Sequence, residues 1–110
     1  MQISILDRQQ NLTPDTHEFA ERRLRFALSR FASRIDHVSL VVVDPNGPRG
    51  GLDKCCNVTI KIRRLADVRV SSVGENVETS IGRAAEKAGR AVSRAIERYR
   101  AFDRRRPHAV

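Results

Sequence analysis

The stretch from Val77 to Arg98, VETSIGRAAEKAGRAVSRAIER, constrains the chain more than any other. On a helix at about 100° per residue, Val77, Ile81, Ala85, Ala88, Val92, Ala95, Ile96 and Tyr99 share one face. Arg83, Lys87, Arg90, Arg94 and Arg98 fall on the opposite face, within a wedge of roughly 80°. A helix with one apolar stripe must bury it against another layer. Like charges one turn apart repel by about 0.2–0.5 kcal/mol per pair, and Glu86 and Glu97 beside the ridge offset only part of that. A polyanion partner accounts for such a ridge; a solvated surface face is the alternative.

The rest of the chain supplies what this helix would cover. Met1–Leu6 alternates, with Met1, Ile3 and Ile5 on one side, and reads as a strand. Thr13-Pro14 gives a helix start, an N-cap threonine followed by proline, and Glu18 suits the positive end of the helix dipole. This first helix is expected to run to about Arg34, with Ala20, Leu24, Ala27, Leu28, Phe31 and Ile35 as its apolar stripe. Arg22, Arg23, Arg25, Arg30 and Arg34 lie on its flanks and back. Phe26 falls among them, about 160° from the stripe. An aromatic among arginines can stack on an unpaired base, although single exposed aromatics are common.

His37–Val43 is nearly continuous in apolar β-branched residues, as a central strand should be. Asp44–Lys54 is dense in Pro and Gly and reads as a hairpin loop. Its Gly47-Pro48-Arg49-Gly50 matches GxxG, but between strands rather than between the helices of a KH domain. Cys56–Arg64 alternates, with Val58, Ile60 and Ile62 inward and Thr59, Lys61 and Arg63 outward. Asp67–Val73 repeats the pattern, with Val68 and Val70 inward and Arg69 and Ser71 outward. Asn76 is placed to cap the second helix. The expected fold is α+β, a β-α-β-β-β-α two-layer sandwich with a four-stranded sheet and both helices on one face. A helix joins the first two strands, so these should be parallel through a right-handed crossover, with the rest a meander. Residues 1–101 would form one domain and 102–110 a short basic tail.

The chain has 110 residues, with 21 Lys plus Arg against 13 Asp plus Glu, a formal net charge of +8. That balance favours polyanions, nucleic acid before an anionic membrane surface. No apolar run approaches the ~20 residues of a membrane span. The first residues lack the basic and apolar regions of a secretory signal, so a cytoplasmic protein is expected. Cys55 and Cys56 are adjacent, point to opposite faces of a strand, and read as small strand hydrophobes in a reducing compartment. No catalytic motif, metal-ligand spacing or cofactor loop stands out, so neither an enzyme nor a metal or cofactor site is expected. An RRM would carry aromatics on its central strands. Here Phe19, Phe26, Phe31, Tyr99 and Phe102 all lie outside the expected strands. That leaves basic helix surface, which reads phosphates and shape.

The element order and the stretch Gly74-Glu75-Asn76-Val77…Ile81…Lys87-Ala88-Gly89-Arg90-Ala91-Val92-Ser93-Arg94 resemble the ribosome hibernation promoting factor / ribosome-associated inhibitor A family. Leu12-Thr13-Pro14 through Arg23-Leu24 is similar to its opening helix, and DHVSLVVVDPNGPRGG to a branch with a longer hairpin loop. The resemblance covers about residues 1–100. It implies a double-stranded-RNA-binding-like fold and binding to the rRNA of the small ribosomal subunit, in the channel for mRNA and tRNA. Translation would be blocked and ribosomes stored during slow growth. It also implies a short form, lacking the second domain of long members; the protein itself is expected to be a monomer. The family's basic positions carry over to Lys87, Arg90, Arg94 and Arg98, and on the first helix to Arg23. Charge placement adds Arg83, Arg22 and Arg25 as RNA-binding candidates, with Phe26, Arg49, Lys61 and Arg63 as accessory contacts. A general structured-RNA module without ribosome specificity is the alternative. The resemblance departs at Glu78, where the family has an aromatic. Gly82 and Gly89 sit inside the helix, each costing about 1 kcal/mol relative to Ala unless close packing on the sheet requires them.

Overall fold

The chain builds one mixed sheet and lays two helices across one of its faces. A computed structural model describes residues 1–8, 12–43 and 54–105. The order is β1 (Gln2–Asp7), α1 (Pro14–Leu28), a 3-10 helix (Ser29–Arg34), β2 (Ile35–Val43), β3 (Lys54–Ile62), β4 (Val68–Gly74) and α2 (Val77–Arg105). The strands line up in sequence order, β1 parallel to β2 and the others antiparallel, as the pattern predicts. Arg49 and the rest of the GxxG run lie outside the described residues.

Alternation decides which side of each strand meets the helices. Val38, Leu40 and Val42 of β2, and Cys56, Val58, Ile60 and Ile62 of β3, are buried. They meet Ala20, Leu24 and Leu28 of α1 and Ile81, Ala84, Ala85, Ala88, Val92 and Ile96 of α2 in one core. The other sheet face carries Ser4, Ser39, Thr59 and Arg69 in one cross-strand row. On β1, Ile3 and Ile5 are only half-buried, because an edge strand has a neighbour on one side alone.

The first helix differs from expectation. Its α-helical part stops at Leu28, and Ser29–Arg34 tightens into a 3-10 turn. A spacing of three, Leu28 to Phe31, fits either geometry, and both residues are buried. Ile35 is not helical; it opens β2, two residues earlier than expected. The pairing slips between Ile35↔Ile62 and His37↔Lys61, which leaves Asp36 as an extra residue. That bulge lets Ile35 and Val38, three apart, both face the core.

α2 begins as expected, with the Asn76 Oδ1 accepting from the Thr79 amide at 2.8 Å. It continues to Arg105, so the expected boundary between residues 101 and 102 falls inside the helix. Its first turn is tied to β4 by two buried serines: the Ser72 hydroxyl donates to the Ser80 carbonyl at 2.6 Å. Nothing in the residue pattern of β4 or α2 alone signals this pair.

The glycines separate by surroundings. A Cβ on Gly74 would lie 2.6 Å from the Ser80 amide nitrogen, so the β4–α2 corner admits no side chain. A Cβ on Gly89 would lie 3.0 Å from the Ala27 carbonyl oxygen of α1. The close packing at Gly89 is therefore against α1, not the sheet. A Cβ on Gly82 would meet only the Arg23 guanidinium, at an ordinary 3.7 Å. Gly74→Ala should therefore destabilise by about 1–3 kcal/mol. Gly82→Ala should stabilise by about 0.5–1 kcal/mol through helix propensity. Urea unfolding of both variants checks the opposite signs.

Candidate nucleic-acid interface

The two helices lie side by side and run in the same direction. Arg23 pairs with Glu86, Ala27 meets Gly89, and Arg34 covers Tyr99, so the contacts advance together along both. Between them runs a groove of about 400 Å³. Ala27 and Gly89 form its floor. Arg23, Phe26 and Arg30 stand on the α1 side, Glu86, Arg90 and Ser93 on the α2 side. Phe26 is 79% exposed and also borders a second hollow with Phe19, Arg22 and Arg23. An aromatic left in water between arginines on both sides is an unsatisfied apolar surface with cations around it.

The five-cation ridge of α2 does not stand as one row. Arg83 donates to the Val73 carbonyl at 2.8 Å, and Lys87 to the Ser71 carbonyl at 2.9 Å. β4 is an edge strand, and these carbonyls have no neighbouring strand to serve. Helical-wheel geometry treats the helix as isolated and so sends both side chains to open solvent; packing brings the sheet edge within their reach. Arg90, Arg94 and Arg98 are exposed and have no acidic partner among the described residues. Glu86 turns to Arg23 on α1 at 3.7 Å, and Glu97 accepts from the Ser93 hydroxyl at 3.4 Å.

On α1 the candidates divide. Arg22 is exposed and has no acidic partner among the described residues. Arg25 is committed to Glu21, its Nε and a terminal nitrogen reaching one carboxylate oxygen at 3.2 and 2.9 Å. Arg23 is shared between the groove and Glu86. Arg30, not among the candidates from sequence, lines the groove with its guanidinium 5.2 Å from the Phe31 ring centre. Its signal was its position four residues after Phe26, hidden by the change from α to 3-10 geometry.

The accessory candidates do not converge. Lys61 is exposed in the row with His37, on the sheet face away from the helices. Arg63 lies beyond the end of β3, its Nε 3.7 Å from Asp36, near Tyr99 rather than the groove. Both cysteines are free. Burial pushes the Cys56 thiol up, against a hydrogen bond with Ser80 that lowers it. Among the described residues no group of three His, Cys, Asp or Glu is placed to hold a metal, and no helix is long and apolar enough to cross a membrane.

This combination defines a small α+β protein whose paired helices present cations and an exposed aromatic along one groove. A family model described as sigma 54 modulation protein / S30EA ribosomal protein matches residues 3–100. The chain belongs to that family. Its fold is similar to that of a ribosomal subunit interface protein from Coxiella burnetii, with a TM-score of 0.68 and 13% identity, covering 92% of this chain and 99% of that one. It is also similar to the N-terminal domain of Protein Y from Thermus thermophilus, with a TM-score of 0.68 and 17% identity, covering 86% and 98%. No curated protein matches the sequence significantly.

The thiols give a direct check of the packing. At pH 7 in native protein, a maleimide should label half-buried Cys55 and leave Cys56 unmodified, because Cys56 is fully buried and held as the neutral thiol. Both should label once the protein is unfolded, and intact mass before and after urea reads the difference.

Proposed function

We propose that this protein is a ribosome hibernation factor that binds the small ribosomal subunit in the mRNA and tRNA channel and so inhibits translation. The observation that carries this reading is the set of exposed arginines without acidic partners among the described residues, Arg22 on α1 and Arg90, Arg94 and Arg98 on α2, of which Arg90 lines the groove together with Phe26. Family membership supports a ribosomal partner, and one structural neighbour is described as a ribosomal subunit interface protein.

The chemistry follows from the arrangement. Arginines that lack carboxylate partners have donors free for phosphate oxygens, which they match in a two-pronged geometry. Each phosphate neutralised releases condensed counterions from the RNA. Phe26 offers a face for an unpaired base. Arg83 and Lys87, held by β4, contribute positive potential with fewer free donors. Arg23 sits between, because binding to RNA competes with Glu86. A rigid domain seated this way excludes mRNA and tRNA by volume, with no bond made or broken.

Purified protein should co-sediment with vacant small subunits and be displaced by mRNA together with initiator tRNA. Affinity should fall by about 0.7–0.9 log units per tenfold salt for each phosphate contacted. Arg90→Ala and Arg94→Ala should each reduce that slope by roughly 1. Both variants should keep wild-type stability within about 0.5 kcal/mol, since their side chains are exposed. Binding that persists under saturating mRNA and tRNA would remove the channel placement. Loss of the ribosome to excess unrelated duplex RNA would mark a general RNA binder instead.

A further inference from the structure

One basic cluster stands apart from the groove. At the far end of the domain, Ser33, Arg34, Arg63, Arg64 and Tyr99 line a hollow of about 500 Å³. They come from three separate places: the 3-10 helix, the β3–β4 turn and the late part of α2. The backbone fastens two of them together, since the Arg63 amide donates to the Arg34 carbonyl at 2.9 Å. The Arg34 guanidinium lies 5.5 Å from the Tyr99 ring centre, so an aromatic and a planar cation are already stacked in one wall.

Arg64 is the informative residue. Its φ is 68°, in the left-handed region that favours glycine. It follows Arg63 in a tight turn closed by the Leu65 amide donating to the Ile62 carbonyl at 3.2 Å. A turn of this kind is served better by Gly or Asn. The chain instead spends an unfavourable backbone conformation on a third guanidinium beside the same hollow, a strain of the sort kept at functional positions. The charges stay largely uncompensated. Asp36 reaches Arg63 at 3.7 Å, both side chains well exposed, and neither Arg34 nor Arg64 has a carboxylate partner among the described residues.

We propose that this hollow is a second RNA contact, in which Arg63 and Arg64 hold one phosphate of a single-stranded segment and its base extends the Tyr99–Arg34 stack. The proposal rests on the reading that the protein binds RNA, and it specifies where a strand leaving the groove is held. Arg90 and Tyr99 are nine residues apart on α2, about 13 Å along the helix, which one strand spans in a few nucleotides. Stacking on an aromatic or on an arginine plane is available to any base, so the contact carries little sequence preference.

The test is Arg64→Gly, which removes the guanidinium and suits the backbone. Its thermal midpoint should equal or exceed that of the wild type. Its affinity for purified vacant small subunits should fall about tenfold, the worth of one charge-assisted hydrogen bond, and its salt slope should drop by roughly 1. Arg64→Ala, which keeps the unfavourable φ, should lose the same affinity. Wild-type affinity and slope in Arg64→Gly, alongside weakened Arg90→Ala, would overturn the hollow and leave the groove reading standing. Failure of the wild type to bind small subunits at all would overturn both. Adenosine 5′-monophosphate is the remaining probe. Tight, Arg64-dependent binding of this nucleotide, with subunit binding unaffected by the substitution, would reassign the hollow to a free nucleotide and overturn the RNA contact.

Discussion

The approach of Gly89 to the Ala27 carbonyl sets the geometry of everything above the sheet. A Cβ at Gly89 would lie 3.0 Å from that oxygen, so the two backbones come nearer here than a side chain would comfortably allow. The neighbouring turns of α2 are equally spare: Ala84, Ala85 and Ala88 are fully buried. Small residues on α2 bury little area themselves, but they let the helix settle close to Leu24 and Leu28 of α1 and to β4 and β3 beneath it. The bulk of the core is supplied by the partners. Closeness at the floor also decides the groove. It holds Phe26 and Arg30 opposite Arg90 and Ser93, and brings Glu86 within reach of Arg23.

The free edge of β4 makes a second demand, and it is met with the same helix. Edge carbonyls invite another chain, and a long cation laid over them is one way to refuse it. Arg83 and Lys87 occupy the carbonyls of Val73 and Ser71, alternate residues of the strand, because side chains one turn apart on α2 track that spacing. The buried Ser72–Ser80 contact fixes the helix start over the strand and so fixes where those cations land. The α2 ridge thus splits: its N-terminal part closes the sheet, and its C-terminal part faces solvent.

Most of the architecture was legible where burial imposes a period. Val58, Ile60 and Ile62 alternate because one face of β3 is dry, and Ile81, Ala85, Ala88, Val92 and Ile96 recur because one face of α2 is dry. Features set by a second element were not legible. The α1 boundary was obscured because Leu28 and Phe31 suit an α or a 3-10 turn equally, and Ile35 fits the helical stripe until the bulge at Asp36 turns it into the sheet. Arg83 and Lys87 belong to the ridge by spacing alone, and only the docked sheet edge shows what they touch. Arg25 looked equivalent to Arg22 although Glu21, one turn earlier, was visible. The hollow at Tyr99 left no pattern, since Arg34, Arg64 and Tyr99 are far apart in the chain and a left-handed arginine has no sequence mark.

The acids explain why so much positive charge survives on one side. Glu21 is held by Arg25, Glu86 leans to Arg23, and Asp36 to Arg63. None of these three pairs involves Arg90, Arg94 or Arg98. Successive members of that trio are four residues apart, about 6 Å along the helix, which is shorter than the screening length of roughly 8 Å at physiological salt. Their mutual repulsion therefore persists in the free protein and is carried by apolar burial on the opposite face of α2. A row of phosphates would remove the repulsion and add attraction in the same step. Salt acts on the two states in opposite senses, relieving the ridge in the free protein and weakening its hold on a polyanion. A surface built this way is least content when alone, and that asymmetry between free and bound states favours association without any change of fold.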